Sequence, residues 1–463
     1  MRGCIKSTIV ICFTALAISF HVQVYAADVP LSSPLYPILD RLWAEGKIDG
    51  YRPGSLPISR EEAADLLSGI DGGQTLIDQF LGNEFQINPW IAVEGGTDGF
   101  TPDNNSGIPV SVGPVAGMEA VANLGTLSAY FDFRSPVGED DSMFTEAYLK
   151  YHWKTLQLTY GKEDLWWGPG RRGDLLLTNN AEAREMVRIE NYPAVTLPWI
   201  LRYLGGLRVN FFLSRLEDNR PGIDEPIMGG LKLSIAPYSH LIISLNRTFL
   251  YGGEGRDEDL ATFFDVLLGL EGSDHANQNV IGNQLASGTI VWRIPSETQP
   301  AVIYFEIAGE DRGGRLFTLI SSVAGVYLPR IGSNSKYDFR FEAAATDVTK
   351  PNSGIPIWYT HGEYPYTYRG RIMGHPMDKD ARDAFMELGI YPSSNSRLAL
   401  SSSWTESGVS SADPDILVTY GIKMDAWTQT YSIALKWQKE DWDSLPAGES
   451  EGNRFALSVK RNW

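Results

Sequence analysis

The chain has 463 residues, with 39 Lys and Arg against 57 Asp and Glu, for a formal net charge of −18. So acidic a balance excludes recognition of nucleic acid or anionic lipid through overall charge, and any anion must be held by local arginines. The two cysteines, Cys4 and Cys12, fall inside an expected leader, so the mature chain is expected to have no disulfide or thiol chemistry.

Residues 1–26 read as a secretory signal peptide. Arg2 and Lys6 precede the apolar run 9–20, and Val24-Tyr25-Ala26 sets cleavage after Ala26. Beyond it, the longest apolar candidate, 260–270, is short and interrupted by Asp265, so no membrane-spanning helix is expected. Residues 27–84 are expected to form a small periplasmic helical bundle. Leu35, Ile38, Leu39, Leu42 and Trp43 make one apolar stripe that stops at Gly46. A second helix starts at Ser59, with Glu62 completing a capping box, and a third carries Leu76, Ile77, Phe80 and Leu81. Helices this short need a larger partner to dock on. Residues 35–67 also resemble a single surface-layer homology repeat, a pattern that the bundle explains as well.

From about Phe85 the period becomes two. Leu127, Ala129, Phe131 and Phe133 alternate with Ser128, Tyr130, Asp132 and Arg134, and Ala147, Leu149, Tyr151 and Trp153 alternate with Tyr148, Lys150 and His152. Comparable alternation recurs at 207–214, 337–343 and 431–438. Segments near ten residues, apolar on one side and charged on the other, fit a transmembrane β-barrel better than a soluble sandwich. Residues 85–463 are therefore expected to be mainly β, a large antiparallel barrel of about 18 strands at about 20 residues per strand and connection. Short connections at 123–125, 154–155 and 236–239 read as periplasmic turns. Those at 250–259, 271–286, 352–391 and 441–453 read as external loops. The chain ends on Phe455, Leu457, Val459 and Trp463 on one face, the form of closing strand that barrel-insertion machinery is thought to recognise. Outer-membrane lipid is thus an expected partner, and the outer membrane the expected location.

The six histidines stand in no metal-binding spacing, and neither a cofactor nor a metal is expected. Carboxylate pairs such as Glu163-Asp164 and Glu310-Asp311 are too common in an acidic chain to argue a glycosidase. No nucleophile elbow frames a serine, so an enzyme is not expected.

Residues 160–181 are the most telling stretch: Y-G-K-E-D-L-W-W-G-P-G-R-R-G-D-L-L-L-T-N-N-A. Trp166, Trp167, Arg171, Arg172, Asn179, Asn180 and Arg184 combine flat apolar faces with planar hydrogen-bonding groups, which together suit a pyranose. A structural plug, with arginines paired to lumen carboxylates, would use the same residues. A second candidate is the aromatic run 355–371, with Trp358, Tyr359, Tyr364, Tyr366, Tyr368 and Arg369. It reads either as a glycan platform or as an interfacial aromatic belt.

The stretch 160–181, together with 214–220, 246–255, 306–311 and G-R-I-M-G-H-P within 366–377, resembles the Wzi capsule-assembly family. The resemblance implies an eighteen-stranded outer-membrane barrel closed toward the periplasm by its helical bundle, acting as a lectin for capsular or extracellular polysaccharide. The chain departs from the family pattern at 179–184. There an arginine is expected directly after the alanine, and this sequence has Glu182 after Ala181, so that arginine's role does not carry to one position. A porin or oligosaccharide channel is the alternative function, and a scaffold touching peptidoglycan a third.

Overall fold

The computed structural model describes residues 27–82, 84–97, 99–138, 141–268, 282–310, 320–349, 354–442 and 451–462. The expected signal peptide lies outside these residues. Among them, eighteen antiparallel strands of eight to thirteen residues close into one barrel. In chain order they are β1 Phe85–Gly96, β2 Gly113–Leu124, β3 Leu127–Pro136, β4 Met143–Trp153, β5 Leu156–Glu163 and β6 Arg184–Asn191. Next come β7 Gly206–Arg215, β8 Ile227–Tyr238, β9 Leu241–Tyr251, β10 Gly282–Ile294, β11 Ala301–Glu310 and β12 Ser321–Leu328. The last six are β13 Tyr337–Ala345, β14 Ala381–Ser393, β15 Ser396–Ser407, β16 Asp415–Trp427, β17 Tyr431–Trp442 and β18 Glu451–Arg461. Each pairs with its chain neighbour, and β1 against β18, with Trp90 opposite Lys460, shuts the cylinder.

The expected alternation sets which way the wall faces. On β4, Leu149, Tyr151 and Trp153 are exposed while Tyr148, Lys150 and His152 are buried; on β1, Phe85, Ile87, Ile91 and Val93 are exposed while Gln86, Asn88 and Glu94 are buried. A continuous apolar exterior around a polar interior is the inverse of a soluble protein and places the barrel in a bilayer. Two-residue turns join β2 to β3, β4 to β5, β8 to β9 and β14 to β15 at one end, the periplasmic one by the usual asymmetry of such barrels.

Several stretches expected as loops belong partly to strands. β9 runs on to Tyr251, β10 begins at Gly282, β17 extends to Trp442, and β14 occupies the end of 352–391. The strands are longer than the alternation alone marks; at the tip of β9 both faces are covered, Phe249 and Tyr251 by α4 and Leu250 by the lumen core. Residues 271–281 and 443–450, also expected as loop, lie outside the described residues. A short helix, α4 Leu260–Leu268, packs Phe263 against Phe249 and Tyr251 on the outside of the wall.

Three helices precede the barrel: α1 Leu35–Ala44, α2 Arg60–Ser68 and α3 Gly73–Phe80. Ser59 caps α2 by accepting the Glu62 N–H at 3.1 Å. The other half of the expected capping box does not form, because the Glu62 carboxylate turns outward to receive Arg208 of β7 at 2.8 and 2.9 Å. A bidentate pair with a wall guanidinium outcompetes a single bond to one backbone N–H. Leu35, Leu39 and Trp43 share a core with Ile242, Val291, Val302, Tyr304 and Tyr327 of β9–β12, so the bundle sits inside the short-turn end. Arg293 donates to the Trp43 carbonyl at 2.8 Å and pairs Asp49 at 3.1 Å; Arg340 pairs Asp40 at 3.1 Å. These contacts all lie on the β7–β13 side of the wall.

Ahead of α1 the chain reaches deeper. Asp28 is buried between Lys150 and Arg188, each at 2.5 Å, and Arg188 in turn holds Glu163 at 2.8 Å while Lys150 holds Glu190 at 2.9 Å. All five side chains are buried, so each charge depends on its neighbours for solvation. Replacing Asp28 with Ala leaves two buried cations short of a partner. The expected cost is about 3 kcal/mol, the low end for breaking a buried pair because Glu163 and Glu190 remain. It is read as a lowered temperature at which the compact form is lost on electrophoresis in detergent; an unchanged transition would show that the network does not hold the amino-terminal segment.

Candidate functional site

At the end of β5 the Glu163 carboxylate receives Arg188 twice, at 2.8 and 2.9 Å, and the chain then turns into the lumen instead of outward. Asp164 accepts the Ser106 hydroxyl at 2.6 Å, and burial pushes its carboxyl up to about 6. Trp166 and Trp167 pair as a two-residue ladder with Leu56 and Ser55 of the segment between α1 and α2. Next to them the Gly168 N–H donates to the Gly54 carbonyl at 2.9 Å, and Lys232 of β8 donates to the same oxygen at 2.7 Å. Gly54 has a φ of 79°, and a Cβ there would overlap the Gly168 backbone, so only glycine lets the two chains meet.

The W-W-G-P-G-R-R-G-D turn closes on its own aspartate. Asp174, fully buried, accepts the Trp166 indole N–H at 2.5 Å and the Gly170 N–H at 3.0 Å. A Cβ on Gly168 would strike that carboxylate. Burial, then the nearby Glu306, raises the Asp174 carboxyl well above the usual carboxylate range. Two wall carboxylates hold the backbone beyond. Glu342 accepts the N–H groups of Arg171 and Arg172 at 2.6 and 2.8 Å, and Glu306 accepts that of Leu175 at 2.9 Å. Neither was singled out in the sequence, although Glu342 stands at an inward position of a recognised alternation and Glu306 opens a recognised family stretch.

The second aromatic stretch also folds inward. Tyr359 and Tyr366 stack with centroids 5.4 Å apart and planes 4° apart, and donate to the carbonyls of Leu175 and Leu176, the latter at 2.8 Å. Thr178 donates to the Gly374 carbonyl at 2.7 Å. Residues 164–183 and 354–380 thus interlock as one plug, with Trp167, Trp358, Tyr359, Tyr364, Tyr366 and Tyr368 in a single core against Phe212, Met228 and Leu285 of the wall.

The sequence-predicted residues therefore separate into three settings. Trp167, Trp358, Tyr359, Tyr366 and Tyr368 are buried in the plug core, and the aromatic run does not form an interfacial belt. Asn180 and Arg184 are buried beside them; the Asn180 amide donates to the Ile372 carbonyl at 3.0 Å, and the Arg184 Nε finds no partner among the described residues. Trp166, Arg171, Arg172 and Asn179 instead line a cavity of about 840 Å³ inside the barrel. Arg172 is pinned there between Asp103 at 2.9 Å and Asp383 at 3.5 Å. Only Arg369 reaches the outer face, its side chain 57% exposed, over Tyr368 and paired with Glu182 at 2.7 Å.

A closed barrel with a lipid-facing wall and a lumen filled by its own chain is a plugged outer-membrane β-barrel. The chain belongs to the capsule assembly protein Wzi family, whose model matches residues 90–443. Its fold is similar to that of Wzi from Escherichia coli, an outer membrane protein involved in group 1 capsule assembly and described as a carbohydrate-binding β-barrel. The TM-score is 0.76 at 19% identity, over 94% of this chain and 99% of that one. OprD and OccK3 of Pseudomonas aeruginosa share the barrel more distantly, each with a TM-score of 0.51, at 9% and 11% identity, over 82% of this chain and 94% and 96% of theirs. An uncharacterized 55.8 kDa protein in the cps region of Klebsiella pneumoniae is 29% identical over 164 residues, 34% of this chain and 31% of that protein, so this match spans about a third of the relative's length.

One group in the plug gives it a pH dependence. His375 is buried, its ring against Gly173, and its Nδ1 accepts the Met377 N–H at 3.2 Å. Burial is the main cause holding its pKa down, to about 4 against 6.5 for a free imidazole. Neutral His375 therefore contributes stability that is fully present above about pH 6.5 and is lost as the pH falls through about 4, by up to about 1.4 kcal/mol per unit. In detergent, the wild-type unfolding temperature is expected to drop more steeply between pH 7 and 4 than that of His375→Asn. Superimposable profiles would assign the acid sensitivity to other groups.

Proposed function

We propose that this protein is a non-enzymatic lectin of the outer membrane that binds capsular or extracellular polysaccharide and helps attach or assemble it at the cell surface. The observation that carries this reading is the filled lumen. Two inward loops and an amino-terminal bundle meet through the Gly54–Gly168 contact, an arrangement that favours holding a ligand over passing one. Family membership supports the same reading, as does the carbohydrate binding described for the Escherichia coli relative. On this reading, residues 27–84 form the periplasmic bundle and residues 85–463 the barrel. Lipid contacts the exposed apolar rows, and the closing strand is offered to barrel-insertion machinery.

Of the residues singled out in the sequence, Arg369 is proposed to meet polysaccharide from outside, and Trp166, Arg171 and Asn179 to face ligand from the lumen. Arg172, Trp167, Asn180, Arg184, Trp358, Tyr359, Tyr366 and Tyr368 hold those groups in place. The purified barrel in detergent is expected to bind the producer's own surface polysaccharide and to show no steady single-channel conductance. Arg369→Ala, which removes an exposed charge-assisted donor, is expected to weaken binding about tenfold while leaving folding unchanged. Large steady conductance without polysaccharide binding would replace the lectin with a channel.

A further inference from the structure

The bundle does not fill the lumen evenly. Its apolar core packs on β9–β12 and its ion pairs reach β7 and β13. On the other side it touches the wall through Arg60, which meets Gln86 and Glu119, and through Phe80 against Trp427, and there the 840 Å³ cavity runs along β14–β18 and β1–β4. Its rim at the short-turn end carries the exposed side chains of Ser32, Asp78 and Gln429, and the half-buried Ser106, Arg171 and Asn179 line its far end. The cavity is thus a chamber whose exposed rim faces the periplasm. From Trp427 near the mouth to Thr419 it follows eight residues of β16, about 25 Å at the rise of a strand, a length suited to several linked sugars rather than one.

Four features of its wall point to a ligand. First, the inward residues are small: Ala399, Ser401, Gly421, Ala434 and Ala456 leave the volume open where larger side chains would fill it. Second, the Ser403 and Thr419 hydroxyls, directly opposite one another on β15 and β16 and both more than nine-tenths buried, have no hydrogen-bond partner among the described residues. Third, Lys423 and Lys436 also stand directly opposite one another on β16 and β17. Lys423 has Asp425 at 3.3 Å, but Lys436 pairs with no carboxylate among the described residues, and the neighbouring Arg454 is already held by Glu94 at 3.4 Å and Asn105 at 2.5 Å. Like charges facing across a ladder are unfavourable unless an anion sits between them. Fourth, nearer the mouth Trp90 packs over Gly117, where any Cβ would meet the ring, and its indole lines the chamber with the N–H donating to Asp132 at 3.3 Å, an aromatic surface suited to a sugar.

We propose that this chamber binds an acidic oligosaccharide entering from the periplasmic side, its carboxylate seated on Lys436 opposite Lys423, its hydroxyls on Ser403 and Thr419, and a sugar face on Trp90. The proposal rests on the carbohydrate reading above and adds, for its lumen side, the wall residues that hold the ligand, a direction of entry and a charge preference.

The test uses the full-length barrel. In detergent, wild type and Lys436→Met are titrated with a uronate-containing oligosaccharide and with its neutral carboxyl-reduced counterpart. Lys436→Met is expected to lose about tenfold in affinity for the acidic fragment and nothing for the neutral one. Ser403→Cys is then exposed to a bulky, membrane-impermeant maleimide. Labelling is expected in cells with a permeabilised outer membrane and not in intact cells, and the acidic oligosaccharide is expected to slow it. Unchanged affinity in Lys436→Met, labelling from outside intact cells, or labelling indifferent to the oligosaccharide each overturns the chamber site while leaving a lectin that acts at the outer face. Failure of the wild type to bind either fragment or the intact polysaccharide overturns the lectin reading, and the chamber site with it.

Discussion

The structure depends on one constraint: every charge on the inner wall of a wide barrel must be answered. Eighteen strands enclose a lumen that side chains alone do not fill. Here the answering groups come from the chain itself. Asp28 is delivered to Lys150 and Arg188, Glu62 to Arg208 and Asp40 to Arg340, so the bundle enters the barrel as counter-charge to the wall. In the other direction the wall supplies the acids, Glu306 and Glu342, and the plug supplies the N–H groups. A buried ion pair is weak evidence for stability when compared with an apolar replacement, but each of these pairs fixes where a segment goes, and register is the best attested use of such groups.

That constraint explains why the most unusual stretch of sequence is packed so tightly. Trp166 and Trp167 stand where the bundle, the plug and the wall meet. Trp167 is consumed by packing against Phe212, with centroids 5.4 Å apart, and Trp166 is fixed through Asp174, with its ring toward the chamber. The glycines around them serve approach rather than flexibility, since a methyl group on Gly54 or Gly168 would separate the bundle from the plug or break the Asp174 turn. Binding chemistry and plug chemistry were alternative explanations of the same residues in the sequence. In the fold the packed residues and those that line the cavity divide by position along one turn.

The barrel was legible because its cause is local: period-two alternation at 127–134 or 147–153 dictates two faces, and the strand number follows from length. The cap at Ser59 was legible for the same reason. What could not be read were partners separated by more than a hundred residues. Glu62 leaves its capping box for Arg208, and Tyr359 and Tyr366 turn their rings away from solvent to reach Leu175 and Leu176; both are decided by where distant segments lie. A run of tyrosines in a connection has the same composition whether it faces outward as a platform or inward as a plug. Only the carbonyls waiting inside distinguish the two.

The wall along β14–β18 obeys a different logic from the rest. Where the bundle and the plug dock, Arg188, Arg208, Arg340 and Arg172 each meet a carboxylate. Along Ala399, Ala434 and Ala456 the inward side chains are small and the volume beside them stays open, although larger side chains at these positions would recover dispersion contacts. Opposed lysines and two buried hydroxyls without partners are likewise unfavourable for stability alone. Departures from good packing, matched charge and satisfied hydrogen bonds that coincide on one surface mark a place shaped for something other than folding. The exposed rim at Ser32, Asp78 and Gln429, between the bundle and the turn after β16, gives that place a mouth.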